Sequence, residues 1–348
     1  MASPAFRLVS SGGNPVIALP ARSRAARLRS TTHINGFTPK RWLFKNLLKG
    51  AVALGVDRLL TSAVRDPLHE YSGIETRAFI AALNRVLDDR VATISIRWPW
   101  PVWADRGRIY VYAFDRQGRV LAFTKIVLEE KQDRQLRNEA EMLNALKDGT
   151  RRCRVPKPIA LDSIDGRLYL VTEPLPERLR PLRQDSAFPA EAAAELAGPV
   201  RTVPGAALFA MPWWLRFEEE ARSVPGLAAS MKARFDGRMA QTCRVHGDFS
   251  PKNILRDGGD YWIVDWETGS LEGPRFADPL YYQLEARPQE CEQRPVETLE
   301  ALFRQYDTGE EGGIAALAAA LAYLYSVDCV EARRLLPHWH QLSEGYPA

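Results

Sequence analysis

Apolar and polar residues alternate along several segments in the first half of the chain, a pattern typical of β-strands. These segments are rich in β-branched and aromatic residues, and Asp115-Arg116-Gln117-Gly118 is a turn signal between two of them. We therefore predict a sheet that contains a hairpin at this turn. The predicted strands cover residues 93–96, 109–114, 120–128 and 168–175.

Apolar residues at helical spacing occur before and after these strands. Thr38-Pro39 is a helix-start signal, and apolar residues from Trp42 to Val52 follow it with basic residues between them. This predicts a basic amphipathic helix, for which two interpretations stay open. It packs on the neighbouring domain, or it docks on an anionic membrane surface or an acidic protein partner. Further helices are predicted over residues 75–87, 135–146 and 314–327.

The last of these helices is Ala-rich and strongly apolar. It is shorter than the roughly 20 residues that a membrane-spanning helix needs. We therefore expect a buried C-terminal helix.

Two acidic motifs lie on either side of a predicted hairpin in the second half of the chain. Residues 246–255 read His-Gly-Asp-Phe-Ser-Pro-Lys-Asn-Ile-Leu, and Ile-Val-Asp-Trp-Glu follows at 263–267. Asp248 and Asn253 have the spacing at which a kinase catalytic loop places its proton acceptor and a magnesium ligand. The hairpin would bring Asn253 and Asp265 to one end, close enough to share a cation. The motifs therefore indicate a phosphoryl-transfer site.

Together the motifs resemble those of the aminoglycoside phosphotransferase and choline kinase-like family of small-molecule kinases. In that family the catalytic loop reads His-Gly-Asp followed by a Pro and an Asn. The metal motif reads Ile-Asp-Trp-Glu or similar, which the Val-Asp-Trp-Glu at 264–267 fits. Ser250 stands where protein kinases usually have a basic residue.

The resemblance assigns a role to each polar residue of the two motifs. It implies that Asp248 is the catalytic base and that Asn253 and Asp265 are the metal ligands. His246 is expected to hold the loop backbone rather than to take part in the chemistry. Glu267 either supports the metal shell or only ends the strand.

The predicted strands also carry candidate nucleotide-binding residues. By resemblance, Lys125 binds the α and β phosphates, and Glu139 orients it through an ion pair. Glu141 competes for that role, but helical phase places Glu139 on the apolar face of its helix. No Gly-x-Gly-x-x-Gly motif is present, and Gly107 is the one glycine that can bring backbone close to phosphate. Glu173 lies in the segment that contacts adenine in the family and is expected near the base.

Other residues of the second half have simpler predicted places. Lys252 is expected to face solvent. Trp213 and Trp214 are interpreted as core residues, with stacking on a sugar ring as the alternative. Asp278 precedes a proline at a predicted helix start and is interpreted as the helix N-cap.

The resemblance implies an α+β, two-lobed protein kinase-like fold. We expect a small lobe over 90–173, with an antiparallel sheet plus a helix. A mostly helical large lobe over 174–348 would carry the catalytic loop and the acceptor pocket. Ahead of both, we predict a disordered basic tail over 1–35 and a helical extension over 36–89. The implied cofactors are ATP and Mg²⁺.

Charge and cysteine content narrow the functional classes. Residues 1–56 contain nine Lys or Arg and no Asp or Glu, whereas the rest of the chain has 38 basic and 43 acidic residues. A mildly acidic catalytic part gives no electrostatic support to nucleic-acid binding. The four cysteines are too scattered for a metal or redox motif. The absence of such a cysteine motif favours a cytoplasmic protein, which would be peripheral to the membrane if the basic helix docks there.

The predicted activity is ATP-dependent transfer of the γ-phosphate to a hydroxyl of a small molecule: a sugar, an amino sugar or an amino alcohol. One alternative is a nucleotide-binding pseudokinase that regulates or scaffolds a partner, favoured by the missing glycine-rich loop and the basic helix. The other is a protein kinase, disfavoured by Ser250 and by Trp266-Glu267 in place of Phe-Gly.

Overall fold

Strands and helices alternate along the chain in a computed structural model that describes residues 5–32, 39–99, 107–148, 152–307 and 313–343. The strands are β1 (Phe6–Ser11), β2 (Asn14–Pro20), β3 (Ser62–Val64), β4 (Thr93–Arg97), β5 (Arg108–Phe114), β6 (Val120–Val127), β7 (Cys153–Arg154), β8 (Pro158–Ile164), β9 (Arg167–Thr172), β10 (Arg180–Pro181), β11 (Arg201–Pro204), β12 (Met239–Val245), β13 (Ile254–Asp257), β14 (Asp260–Ile263) and β15 (Ser270–Pro274).

The α-helices are α1 (Arg24–Thr32), α2 (Pro39–Leu54), α3 (Pro67–Ser72), α4 (Thr76–Val86), α5 (Asp133–Leu146), α6 (Ala190–Ala197), α7 (Pro212–Glu220), α8 (Leu227–Ala233), α9 (Ala277–Glu285), α10 (Pro288–Gln293), α11 (Pro295–Asp307), α12 (Gly313–Ser326), α13 (Val330–Leu335) and α14 (Trp339–Ser343). The chain divides into two units, one formed by residues 1–140 and 156–178 and the other by 141–155 and 179–348. This division differs from the predicted lobe boundary at 173, because residues 141–155 group with the second unit.

The first unit is built on an antiparallel sheet in the order β3-β1-β2-β4-β5-β6-β9-β8. The four predicted strands of the sequence are present as β4, β5, β6 and β9, although β9 ends at Thr172 rather than at 175. The predicted helices appear as α4 and α5. Phe79 and Leu83 of α4 pack on the sheet beside Tyr169, where the rings of Phe79 and Tyr169 meet edge to face at 5.4 Å.

The N-terminal segment forms part of this sheet, so the predicted disordered tail over 1–35 is wrong for its described part. Strands β1 and β2 form a hairpin, β1 also pairs with β3, and β2 pairs with β4. Leu8, Ile17 and Leu19 are buried. The Ala-, Ser- and Arg-rich composition hid this short alternating pattern. The region predicted as a helical extension likewise contains β3 in addition to its helices.

A buried ion cluster holds the N-terminal elements together. Asp57, in a 3₁₀ turn, is 1% exposed. Its Oδ2 atom lies 3.2 Å from Nη1 of Arg7 in β1 and 3.4 Å from Nε of Arg27 in α1. Because two cations share one carboxylate here, loss of the carboxylate would leave both charges in a nearly dry place.

The second unit is mostly helical and contains two small sheets, in the orders β10-β13-β14-β7 and β11-β12-β15. Its core is centred on α12, which is buried along almost its whole length, as the sequence predicted. Trp213 and Trp214 of α7 are buried in the same core, which confirms their interpretation as core residues.

Within the described ranges, no single helix is long and apolar enough to cross a membrane. The bent pair Gly313–Ser326 and Val330–Leu342 passes that test of length and composition only when its two parts are taken together.

The ion cluster gives a direct test of the N-terminal architecture. We expect Asp57→Ala to lower the free energy of unfolding by about 3 kcal/mol, because Arg7 and Arg27 lose their shared counter-charge. Urea denaturation followed by circular dichroism measures the change. The control is Asp185→Ala, which breaks the exposed pair between Arg183 and Asp185 and should cost less than about 1 kcal/mol. Equal effects of the two substitutions would contradict the structural role of the cluster.

Candidate active site

One buried carboxylate holds the loop that connects β12 to β13 and contains the predicted base. Asp278 of α9 accepts hydrogen bonds from the backbone N–H groups of His246, at 2.8 Å, and Gly247, at 2.9 Å. Burial raises the pKa of Asp278, while the two backbone donors favour its charged form. The interpretation of Asp278 as a helix N-cap is wrong. Phe276 occupies the cap position of α9, and Asp278 binds the loop instead.

Gly247 is required by the path of this loop. Its φ is +80°, in the left-handed region that favours glycine. A Cβ atom at this position would lie 2.6 Å from the carbonyl oxygen of Thr268 and 3.0 Å from the hydroxyl of Tyr323. The Tyr323 hydroxyl itself donates to that carbonyl at 2.6 Å. Any side chain at position 247 would therefore displace the loop.

His246 joins the loop to the second motif through its buried imidazole. Its Nδ1 atom lies 3.2 Å from the backbone nitrogen of Asp248, and its Nε2 atom lies 3.0 Å from the carbonyl oxygen of Val264. Because Nδ1 accepts from a backbone N–H, the ring hydrogen is assigned to Nε2, which donates to Val264. Trp266 packs edge-on against the ring at 4.5 Å. This geometry suits the backbone-holding role expected from the sequence.

Asp248 is half-buried and is oriented by neighbouring donors. The Nδ2 atom of Asn253 lies 2.9 Å from its Oδ2 atom, and the Ser250 hydroxyl lies 3.2 Å from its Oδ1 atom. The hydroxyl of Tyr281 in α9 also donates to this carboxylate. Burial, and then the adjacent Asp248, raise the pKa of Tyr281, so Tyr281 stays a protonated donor. Each carboxylate oxygen has two lone pairs, so these donors leave Asp248 able to accept a further proton.

The predicted hairpin is present as β13 and β14, which pair antiparallel with Ile254 opposite Ile263. The Val264 N–H donates to the carbonyl oxygen of Asn253 at 3.0 Å, which brings Asn253 and Asp265 to the same end of the hairpin. Asp265 has a φ of +69°. Aspartate adopts this left-handed conformation more readily than most residues other than glycine, and Asp88, Asp89, Asp165 and Asp328 also have a positive φ.

The donor atoms at this end of the hairpin suit Mg²⁺, a hard cation that prefers oxygen ligands. Asp265 offers a carboxylate. Asn253 uses its Nδ2 atom for Asp248, which leaves Oδ1 as the ligand atom of that amide. Among the described residues, no group of three or more His, Cys, Asp or Glu side chains could hold a metal ion. The pair formed by Asp265 and Asn253 suits a magnesium ion that completes its coordination with substrate phosphates and water. Glu267 follows the buried Trp266 and is half-buried, and its role stays a prediction.

Lys252 is exposed, as the sequence predicted, and its ammonium group lies near the predicted base. The Nζ atom lies 3.5 Å from Oδ1 of Asp248 and 4.0 Å from Oε1 of Glu285. Burial raises the pKa of Glu285. Lys252 follows Asp248 by four residues, and this spacing could have identified it from the sequence. Nothing in the sequence near the loop pointed to Tyr281 or Glu285, since α9 comes close to the loop only in the folded unit.

The first unit contains the ion pair predicted between β6 and α5. Lys125 is buried, and its Nζ atom lies 2.7 Å from both carboxylate oxygens of Glu139. Glu141, the competing residue, is exposed. Since a buried lysine is costly without a partner, the two-oxygen contact fixes the position of the ammonium group. The phosphate-binding role of Lys125 stays a prediction.

The other two predicted nucleotide contacts have less distinctive surroundings. Gly107 has a φ of +43°, and a Cβ atom there would lie 2.9 Å from Cγ of Glu129. Its carbonyl oxygen accepts from the N–H of Leu128. Residues 100–106 of the predicted phosphate loop lie outside the described residues. Glu173 is exposed, and its N–H donates to the carbonyl of Lys157 at 2.9 Å, so this N–H serves the β8–β9 ladder.

Comparison with known proteins points to one family. The family model described as the phosphotransferase enzyme family matches residues 111–319. Among curated proteins, none matches the chain in sequence.

Solved structures with similarity to the chain include a thermostable mutant of an aminoglycoside phosphotransferase in ternary complex with ADP and hygromycin B. That structure is 9% identical, with 78% of this chain and 99% of that chain covered, at a TM-score of 0.47. The GDP complex of aminoglycoside 2'-phosphotransferase-IIIa is 12% identical, with 78% of this chain and 97% of that chain covered, at a TM-score of 0.38. A choline/ethanolamine kinase family protein from Mesorhizobium loti is 16% identical, with 69% of this chain and 90% of that chain covered, at a TM-score of 0.33.

These TM-scores are all below 0.5, so the assignment rests on the family model. Its matched range covers more than half of the chain and includes the Lys125–Glu139 pair, the catalytic loop and the hairpin that bears Asp265. The chain belongs to the phosphotransferase enzyme family, and the α+β, protein kinase-like fold class predicted from the sequence is confirmed.

Proposed function

We propose that the protein transfers the γ-phosphate of ATP to a hydroxyl group of a small molecule, in the class of sugars, amino sugars and amino alcohols. The observation that carries this proposal is the 2.9 Å hydrogen bond from Asn253 Nδ2 to Asp248 Oδ2. It joins a candidate base to a candidate metal ligand.

In the proposed reaction, Asp248 aligns the acceptor hydroxyl and accepts its proton as the oxygen attacks the γ-phosphorus. The bond from that phosphorus to the oxygen it shares with the β-phosphate breaks, and ADP leaves with the electron pair. The donors from Asn253, Ser250 and Tyr281 restrict the rotamers of the carboxylate before the acceptor arrives. Such preorganisation places the base at the reacting oxygen without an ordering cost at the moment of transfer.

The remaining groups act on the charge of the nucleotide. Lys125, oriented by Glu139, would bind the phosphates, and Asn253 and Asp265 would hold the magnesium ion. When bound, Mg²⁺ supplies neutralisation of the phosphate oxygens and orients them. The Asp248–Asn253 bond links the residue that faces the acceptor to a residue that holds the donor.

We assign a further charge-neutralising role to Lys252. An ammonium group 3.5 Å from the base lies close to where the transferred phosphoryl group must pass. In phosphoryl transfer, cations stabilise the negative charge on the oxygens of the phosphoryl group in the transition state. Lys252 thereby supplies the positive charge that Ser250 cannot.

The pseudokinase alternative predicts loss of some part of this apparatus. The candidate base, both candidate metal ligands and the lysine–glutamate pair are instead all present, and hydrogen bonds orient Asp248, Asn253 and Lys125. This supports turnover over a purely scaffolding role.

We expect Asp248→Asn to lower kcat by about three orders of magnitude. The affinity for ATP should change by less than about twofold, since the base acts on the acceptor and not on the nucleotide. The measurement is magnesium-dependent ADP release with a panel of hydroxyl-bearing metabolites, together with calorimetric titration of ATP. Asp236→Asn, at an exposed site of the same unit, is the matched control. Equal turnover by Asp248→Asn and wild type would remove Asp248 from the mechanism.

A second prediction concerns the metal ligands. Asp265→Ala should make ATP binding insensitive to added Mg²⁺, because the cation is no longer held against the triphosphate. Asn253→Ala should weaken that dependence less, since a neutral ligand is lost. Calorimetric titration of ATP with and without magnesium measures both. Asp260→Ala is the control, because it lies on the same hairpin and breaks only an exposed pair with Arg154. Unchanged magnesium dependence in Asp265→Ala would identify this aspartate as a structural cap and favour the pseudokinase.

A third prediction tests Lys252. Lys252→Met should lower kcat by about a hundredfold and leave the KM for ATP within about threefold, because the charge acts in the transition state. Lys252→Arg should restore most of the rate, since it keeps the charge. Thermal unfolding of both variants should match wild type, as the side chain is half exposed. If Lys252→Arg is as impaired as Lys252→Met, or if both are fully active, the charge-neutralising role is wrong.

A further inference from the structure

Helix α2 has two apolar faces, and the protein covers one of them. On the inner face Leu48 and Val52 are buried against Ile17 and Leu19 of β2. On the outer face Trp42 is 60% exposed and Leu54 is 79% exposed. An amphipathic helix that only covers a core carries polar residues on its outer face, and α2 departs from that pattern.

The outer face continues into the 3₁₀ turn after α2, where Leu59 is 83% exposed. We call this surface the α2 patch; it consists of Trp42, Leu43, Leu47, Leu54, Val56, Leu59 and Leu60. These seven residues are half of the fourteen exposed large apolar residues found in the described part of the chain. Scattered exposed apolar residues are normal at a protein surface, but a contiguous group indicates an interaction site.

The chain segment that bears most of the α2 patch carries only positive charges up to residue 56. Lys40 and Lys49 are exposed on the same helix, and Arg58 is exposed in the following turn. The first 56 residues contain no Asp or Glu. The first acidic residue, Asp57, is buried between two arginines, so it does not offset the charge at the surface. The surroundings of the patch therefore attract an anionic partner.

We propose that the α2 patch docks on an anionic lipid bilayer, with α2 lying in the plane of the interface. Leucines and a tryptophan on one face, flanked by lysines, form the composition that inserts at the boundary of headgroups and acyl chains. A second copy of the chain fits less well, because a symmetric contact through this patch would bring like charges together. Docking does not change the roles proposed for the catalytic residues. It would place the reaction at the surface of an anionic membrane.

Co-sedimentation of the full chain with vesicles tests the proposal. We expect binding to vesicles that contain phosphatidylglycerol, weaker binding to pure phosphatidylcholine, and loss of binding as salt concentration rises. The double substitution Leu43→Gln with Leu47→Gln should weaken binding about tenfold or more, because apolar area no longer enters the interface. Lys40→Gln and Lys49→Gln should each weaken it about fivefold. The controls are Leu215→Gln, at an exposed leucine of α7 in the other unit, and Lys147→Gln; neither should change binding.

A polarity-sensitive dye reports whether α2 itself enters the interface. The native cysteines are all buried, so Asn46→Cys, at an exposed position of α2, offers a selective attachment site. Its emission should shift to the blue with anionic vesicles. Absence of vesicle binding at low salt would overturn the proposal. So would concentration-dependent dimers that the leucine pair abolishes without any vesicle binding, which would assign the patch to a second copy. Because activity is not the readout, a failure of the phosphotransferase proposal would appear separately.

Discussion

The candidate active site depends on the two hydrogen bonds that the Asp278 carboxylate accepts from consecutive backbone N–H groups. The loop that begins at His246 must turn through a left-handed Gly247, and its backbone donors would otherwise be buried without partners. Asp278 satisfies both donors from α9, the same helix that presents Tyr281 to Asp248. Helix α9 therefore sets the position of the loop and, one turn further on, the orientation of the candidate base, Asp248.

Strongly periodic elements were predictable from the sequence. The strands β4 to β6 and the helices α4 and α5 have clear alternation or helical spacing, and their observed ends lie within two residues of the predicted ones. The hairpin between the two motifs was predicted for the same reason, because two apolar runs enclose a glycine-rich turn. In these segments local preference and tertiary packing agree, so a local pattern suffices.

Features that depend on contacts distant in sequence were not predictable. Composition indicated disorder for the N-terminal segment, yet β1 and β2 are strands because β4 offers an edge and Asp57 neutralises Arg7 and Arg27. The place of Asp278 was missed for a similar reason. A carboxylate at a helix start usually caps its own helix, and the sequence does not show that a loop 31 residues earlier lies within reach.

Three aspartates near the loop show how environment separates chemically identical side chains. Asp278 is buried and its carboxylate is occupied by backbone donors, so it serves as a fixed anchor. Asp248 is half-buried, accepts from Ser250 and Asn253 and lies beside the Lys252 ammonium group, with lone-pair capacity left for a further proton. Asp265 occupies a left-handed conformation at the end of a hairpin, one that aspartate adopts more readily than most residues other than glycine. Burial, donors and backbone angle thus distinguish the anchor from the candidate base and the candidate metal ligand, and a sequence motif contains none of these properties.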